Sequence, residues 1–362
     1  MYKRQTDDQD APTGVEPFIL DSDTPSQPTE FELKLYINGK KYIYQLILSP
    51  KDILSEKLHV YNSNQPSLLM HRELVDSNTA LKFNQSLIKV SAAVKDELTA
   101  KCLKNMSLFA ARKAVNCNLG EIDDVRDWMI NHTLPVIDLG QKMFNYAERN
   151  MLENPDAKKH LLDFCHNIGF NIEDMAVEKD YMSLTPEMIQ FIKSSGQLSD
   201  ENASKLSKDP KMPNGFKTDF IVSVINKRGK EIYTLPKASQ SEGTLRAMGI
   251  ETALYVAEQN NKLLPIDEIE TSMHPLLLKF MIQSFLKVQS RSQLLLTTHY
   301  DPLFTAVDDY LRKDSFWLMD KRDDGHSELY PLISKNGVNK MRSLQRAYLN
   351  NKLGALPQIA NV

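Results

Sequence analysis

Two short apolar runs, 263–266 (LLPI) and 293–297 (QLLLT), constrain this chain more than any other feature. Between them lies 275–288 (PLLLKFMIQSFLKV), a helical pattern with Pro275 in its first turn, where a missing N–H costs nothing. Leu276 and Phe280, with Leu277, Met281, Phe285 and Val288, are its expected buried face. Strand, helix, strand over this length predicts parallel neighbours in one sheet of an α/β fold, because parallel strands need a crossover. Both runs end in polar residues: Asp267-Glu268 after the first, and Thr297-Thr298-His299 in the second. Ligands of open parallel sheets bind at the carboxyl ends of the strands. The two polar groups are therefore expected on one edge.

The chemistry of that edge follows from the residue types. Mg²⁺ takes oxygen ligands and keeps several waters, so a single strand-end Asp267 suffices to hold it. The adjacent Glu268 can orient or deprotonate a water for attack on a phosphoryl group. An Asp-Glu pair after an apolar run equally fits two carboxylates leaving the core. His299, one crossover later, favours the catalytic reading, because it can donate a hydrogen bond to a terminal phosphate oxygen. A third element is KASQSEGTLRAMGIETALYVAEQ. Ser239 and Glu242 have capping-box spacing, and Gly243 permits close backbone approach at a helix start. Such a start binds anions, although an ordinary N-cap has the same pattern.

Elsewhere the signals are mostly local. Residues 31–48 (FELKLYINGKKYIYQLIL) alternate around Asn38-Gly39, the strongest short hairpin signal, and a further strand is expected near 57–62. From about Thr79 to Gly196, apolar residues recur at helical spacing, as in Val94, Leu98, Cys102 and in Val136, Leu139, Met143, Tyr146. Residues 197–215 are polar and turn-rich, a connector. Strands at 218–225 and 231–235 flank a turn, and a helix follows Ser241. The expected organisation is an acidic, proline-containing segment over 1–30, an antiparallel β subdomain over 31–78, a helical insertion with connector over 79–215, and a core over 216–362. Asp323-Asp324-Gly325 reads as a turn between two strands, and no second acidic cluster points to a nuclease.

Composition excludes several classes. Apolar residues make up 41% and charged residues 25%, the balance of a globular protein. Forty-four basic against forty-seven acidic residues leave −3, so net charge gives nucleic acid no support as a partner. Charge is nevertheless segregated. Eight carboxylates and no Lys or Arg lie between Asp7 and Glu32, and five basic residues without an acid lie from Leu329 onward, which reads as two solvated surfaces. No stretch reaches the length of a membrane span, and the N-terminus lacks a signal-peptide core. Cys102, Cys117 and Cys165 have no C-x-x-C spacing, which fits a reducing cytoplasm and no cysteine zinc site.

Taken together, these blocks resemble the nucleotide-binding core of ABC-type ATPases, and most of all the AAA-family ATPases of bacterial phage-defence and abortive-infection systems, related to overcoming-lysogenization-defect proteins. IDEIETSMHP is similar to their Walker B and D-loop, which implies that Asp267 is the magnesium aspartate and Glu268 the catalytic glutamate. SEGTLR resembles their signature motif, placing Ser241, Gly243 and Thr244 against phosphate. TTHYDPL resembles their switch-histidine region, giving that role to His299, and RAYLNNKLGALPQI is similar to their closing helix and turn. The resemblance implies a P-loop NTPase core with a mainly parallel sheet, an antiparallel side sheet and a helical insertion. It also implies ATP and Mg²⁺ as cofactors, a head-to-tail homodimer with ATP between one subunit's Walker motifs and the other's signature motif, and room for a separate effector protein.

One motif of that family is missing. G-x-x-x-x-G-K-S/T, whose amides and lysine hold the phosphates, occurs nowhere; only Gly39 and Gly229 precede a lysine, and neither lysine is followed by Ser or Thr. The expectation is an N-terminally shortened ATPase. The alternative is a non-hydrolysing remnant or regulatory subunit that keeps the fold and partner surface. Pro265 also predicts an irregularity just before Asp267, since proline cannot donate to a ladder. On this reading the chain by itself releases no phosphate from ATP above a Glu268→Gln control in a steady-state assay; clear turnover above that control would refute it.

Overall fold

The computed structural model describes residues 8–194, 210–307 and 309–356. The chain divides into two compact units, Met1–Thr133 with Pro302–Val362, and Leu134–Asp301.

In the first unit, β1 (Thr29–Ile37), β2 (Lys40–Leu48), β3 (Ile53–Tyr61), β4 (Ser67–Val75) and β5 (Asn78–Phe83) form an antiparallel meander in chain order. Its first turn is Asn38-Gly39, with φ of 51° and 78°, the pair of positive values that a tight turn between twisted strands requires. Alternate residues Tyr42, Tyr44, Leu46 and Leu48 of β2 face a core shared with Leu58, Val60, Met70 and Leu81. Helices α1 (Ala92–Lys101), α2 (Leu108–Ala111) and α3 (Glu121–Asn131) complete that core with Leu98, Phe109 and Val125. Glu56 is fully buried yet satisfied: it accepts from the Tyr44 hydroxyl at 2.9 Å and the Leu108 N–H at 2.7 Å. Burial raises its carboxyl above the usual range, and the Leu108 N–H opposes that rise. A hairpin of β11 (Trp317–Lys321) and β12 (Ser327–Pro331), turning where Asp323-Asp324-Gly325 stands, lies in the same unit.

The second unit holds the parallel pair. Here β9 (Leu263–Ile266) and β10 (Gln293–Leu296) align in register, Leu264 opposite Leu294 and Ile266 opposite Leu296, joined through the crossover helix α8 (Pro275–Lys287). The 134–138 segment runs along the other edge of β9. Leu134 N–H donates to Leu263 O (2.9 Å), Ile137 N–H to Pro265 O (3.0 Å) and Asp267 N–H to Ile137 O (2.8 Å). On the β10 side the acceptors are the carbonyls of Lys262 and Ile266. Pro265 therefore turns its missing N–H toward 134–138, where the pairing is a single isolated bridge at Ile137. The expected irregularity falls there, and the β9–β10 register stays intact.

Beside this pair, α7 (Glu242–Gln259) is buried on nearly all sides and packs against α4 (Phe144–Glu153) and α5 (Pro155–Asn167). A Cβ on Gly249 would come within 2.4 Å of the Met143 backbone, so only glycine permits this approach. Three antiparallel strands, β6 (Ile172–Ser183), β7 (Lys211–Asn226) and β8 (Gly229–Pro236), form a separate sheet, with α6 (Pro186–Ser194) following β6 in the chain.

Several expectations change. Among the described residues, parallel pairing is found between β9 and β10 and at the isolated bridges Ile137–Ile266 and Val307–Leu311, and the other ladders are antiparallel, so the sheet content is not mainly parallel. The 79–215 stretch is not uniformly helical. It begins within β5, carries α1–α3 in the first unit, and contains β6, whose pairing with β7 overrides a helix-compatible composition. Of the expected connector over 197–215, residues 197–209 lie outside the described residues, and Lys211 already begins β7. Val136 and Leu139 precede α4 and are exposed, because their segment extends along β9. On α8 the buried residues are Leu278, Met281, Ile282 and Phe285; Leu276 is 71% exposed and Val288 lies beyond the helix, exposed. The apolar residues of α8 nearly encircle it, and spacing alone does not choose which of them face inward.

Gly249→Ala tests the α7–α4 packing. In an open helix the change stabilises by ~1 kcal/mol. Here it should destabilise by about 1–3 kcal/mol through overpacking against Met143, read as a lowered urea midpoint. A raised midpoint would refute the close approach.

Candidate functional site

The β9–β10 register decides which polar side chains meet. Thr297 directly follows β10 and stands beside Asp267, the residue after β9. Its hydroxyl donates to Asp267 Oδ1, and Thr297 Oγ1 in turn accepts the Glu268 N–H at 2.9 Å. The Thr297 carbonyl accepts the Ile269 N–H at 3.3 Å. One residue thus anchors the first three positions after β9. Asp267 Oδ2 accepts no hydrogen bond from the described residues.

Glu268 sits at φ 45°, a left-handed conformation that side chains with a Cβ avoid. This turn sends its carboxylate toward His299: Oε1 lies 3.8 Å from His299 Nε2, and Oε2 accepts from the Thr271 hydroxyl at 3.5 Å. The His299 side chain is 87% exposed, open to an incoming ligand. Its main chain is held from below, since the His299 N–H donates to Glu270 Oε1 at 2.7 Å. Asp267, Glu268 and His299 thus stand together at one end of two adjacent parallel strands.

Ser241 is the N-cap of α7: its Oγ accepts the Thr244 N–H at 3.1 Å and lies 2.8 Å from the Thr244 hydroxyl. The cap is therefore Ser241, and Ser239 ends a short 3-10 turn, so the capping-box reading of Ser239 with Glu242 does not hold. Lys237, four residues upstream of the cap, is fixed by the buried Glu148 of α4 (2.8 and 2.9 Å). Gly243 is needed for a close approach, but within this chain the neighbour is protein. A Cβ there would lie 2.3 Å from the Ser272 carbonyl oxygen, in the turn that leads from Glu268 to α8. Ser241 and Thr244 make no hydrogen bond to Asp267, Glu268 or His299.

Two residues of the site were not assigned roles by the sequence. Thr297 shows its role only once pairing places it beside Asp267. Glu270 lies two residues beyond Glu268, and only the turn geometry brings it under His299. Both were visible as polar residues next to the motifs, without a signal for what they bind.

The oxygens of Asp267 and Thr297 form a hard donor set that fits Mg²⁺. Among the described residues, no group of three or more His, Cys, Asp or Glu is arranged to hold a metal by itself. No helix among them is long and apolar enough to cross a membrane.

Residues 5–305 match the family model described as "AAA domain, putative AbiEii toxin, Type IV TA system", and the chain belongs to this family. No curated protein matches it in sequence.

The conformation of Glu268 has a measurable consequence. A residue with a Cβ in the left-handed region costs ~1 kcal/mol relative to glycine. Glu268→Gly should therefore be more stable than Glu268→Ala by about 1 kcal/mol in urea denaturation. Equal stability, or the reverse order, would contradict the turn geometry.

Proposed function

We propose that this member of the AAA family is an ATPase component of a bacterial abortive-infection or toxin–antitoxin system, turning ATP and water into ADP and phosphate. The observation that carries the reading is the placement of Glu268 and His299, 3.8 Å apart, beside Asp267 at the ends of two parallel strands. In this mechanism the Glu268 carboxylate orients a water and accepts its proton as the water oxygen attacks the terminal phosphorus. His299 donates a hydrogen bond to a terminal phosphate oxygen, and the exposure of its ring leaves it accessible for that contact. Asp267, steadied by the Thr297 hydroxyl, would hold Mg²⁺, which when bound offsets the charge of the phosphates. Ser241, Gly243 and Thr244 of a second copy would face the nucleotide in a head-to-tail homodimer. The family description also supports a separate partner protein.

A second reading has its own support. The 362 residues contain no G-x-x-x-x-G-K-S/T, so the phosphate grip has to come from a segment outside them, or the chain is a non-hydrolysing scaffold or regulatory subunit.

The roles separate by substitution in a form of the chain joined to a phosphate-loop segment. Glu268→Gln keeps shape and loses the proton acceptor, so ATP should persist and hold dimers together. Asp267→Ala should abolish ATP-dependent dimerisation through loss of the metal anchor. His299→Ala should dimerise but turn over more slowly, by the ~10²–10³-fold typical of a lost transition-state donor. Light scattering with and without ATP–Mg²⁺, alongside phosphate release, reads all three. The same ATP-dependent assembly state for Glu268→Gln and Asp267→Ala would show that base and metal roles are not divided in this way.

A further inference from the structure

The hydrogen bonds of a parallel ladder are evenly spaced and recur every second residue. Toward β9 they run from the Gln293 N–H to the Lys262 carbonyl (3.1 Å) and, at the far end, from the Thr297 N–H to the Ile266 carbonyl (3.0 Å). The next rung of that series would join the His299 N–H to the Glu268 carbonyl. The turn after β9 prevents it. Glu268 stands at φ 45°, and its carbonyl instead accepts the Thr271 N–H at 3.1 Å. The same turn that aims the Glu268 carboxylate at His299 thus removes the main-chain acceptor that would have held His299. Glu270 fills the place with a side chain, its Oε1 accepting the His299 N–H at 2.7 Å. Just beyond, the Tyr300 N–H donates to the Thr298 hydroxyl at 3.0 Å, a local turn that carries the chain away from β10. The His299 ring is exposed, so its place 3.8 Å from Glu268 Oε1 follows from where the main chain carries it. Glu270 Oε2, in contrast, is buried without a hydrogen-bond partner among the described residues. An unserved buried oxygen costs free energy, so stability alone explains this carboxylate poorly.

We propose that Glu270 is a positioning residue for His299. Its side-chain oxygen stands in for the Glu268 carbonyl as the last rung between the two strand ends. That rung keeps the His299 ring beside the Glu268 carboxylate while Glu268 holds its left-handed turn. What the position requires is an acceptor oxygen at the reach of a Glu or Gln side chain. The proposal rests on the proposed function for the importance of His299, but the rung itself is readable without nucleotide or turnover.

Amide hydrogen exchange and the His299 ring resonances, both measured by NMR on the full chain, test it. Glu270→Met keeps the length of the side chain and loses the acceptor. It should raise the His299 amide exchange rate about tenfold, the loss expected for one hydrogen bond, and shift the ring resonances. The Thr297 amide, bonded to Ile266, should keep its protection, which shows that the β9–β10 register is intact. Glu270→Gln keeps an acceptor oxygen at the same reach, so it should leave His299 exchange within about twofold of the parent chain. His299 exchange unchanged in Glu270→Met, or equally fast in Glu270→Gln and Glu270→Met, would overturn the proposal. If Glu270→Met does not fold, Glu270→Asp, one methylene shorter, takes its place with the same expected and overturning results. In the form joined to a phosphate-loop segment, Glu270→Met should lower kcat by about tenfold, through misplacement of the ring, with KM and ATP-dependent dimerisation unchanged and Glu270→Gln near the parent rate. An unchanged kcat in Glu270→Met, where the parent turns over, would also overturn it. If the exchange pattern holds and the joined parent never hydrolyses ATP, the proposed function fails and the placement of His299 by Glu270 stands.

Discussion

The hydroxyl of Thr297 donates to Asp267 while accepting from the Glu268 N–H, and the polar edge of the second unit depends on those two bonds. A hydroxyl has one proton and two lone pairs, so a single threonine can serve both neighbours at once. This works because β9 and β10 pair in register with Ile266 opposite Leu296. A slip of one residue would turn the Thr297 side chain to the other face of the sheet and leave Asp267 without its donor. The register is in turn secured by the buried Leu264 and Ile266, so core packing and site geometry are the same constraint seen from two sides.

Around that edge, close backbone contacts replace side-chain contacts. Gly243 lets the start of α7 rest on the Ser272 carbonyl, and Gly249 lets the middle of the same helix rest on Met143. Between these two contacts α7 buries Arg246, and just beyond them Glu251 and Thr252. Glu251 takes His160 of α5 at 2.8 Å, and Thr252 returns its hydroxyl to the Met248 carbonyl at 2.9 Å. A helix fixed this tightly transmits small displacements instead of absorbing them, because close-packed interiors have little free volume. The turn from Glu268 to Ser272 carries the complementary strain, with positive φ at both ends, as sites that hold side chains in unusual directions commonly do.

The sequence by itself determined whatever rests on neighbouring residues. Asn38-Gly39 fixed the first hairpin because its two positive φ values are local requirements, and Pro275 marked the start of α8 for a similar reason. The strand–helix–strand pattern placed Asp267 and His299 at one edge, since a crossover leaves parallel strands no other arrangement. The family was legible from three short blocks and their order along the chain. What only the tertiary structure decided was partnership. Ile172–Ser183 became a strand because β7 was there to pair with it, and 134–138 became extended because β9 offered an edge. Leu276 faces solvent because the neighbours of α8 lie on its other side. Thr297 and Glu270 gained their roles from distances between residues some thirty positions apart. Local preferences are written one residue at a time. Pairing, burial and counter-charge depend on which distant segments come together, and that is settled only when the chain has folded.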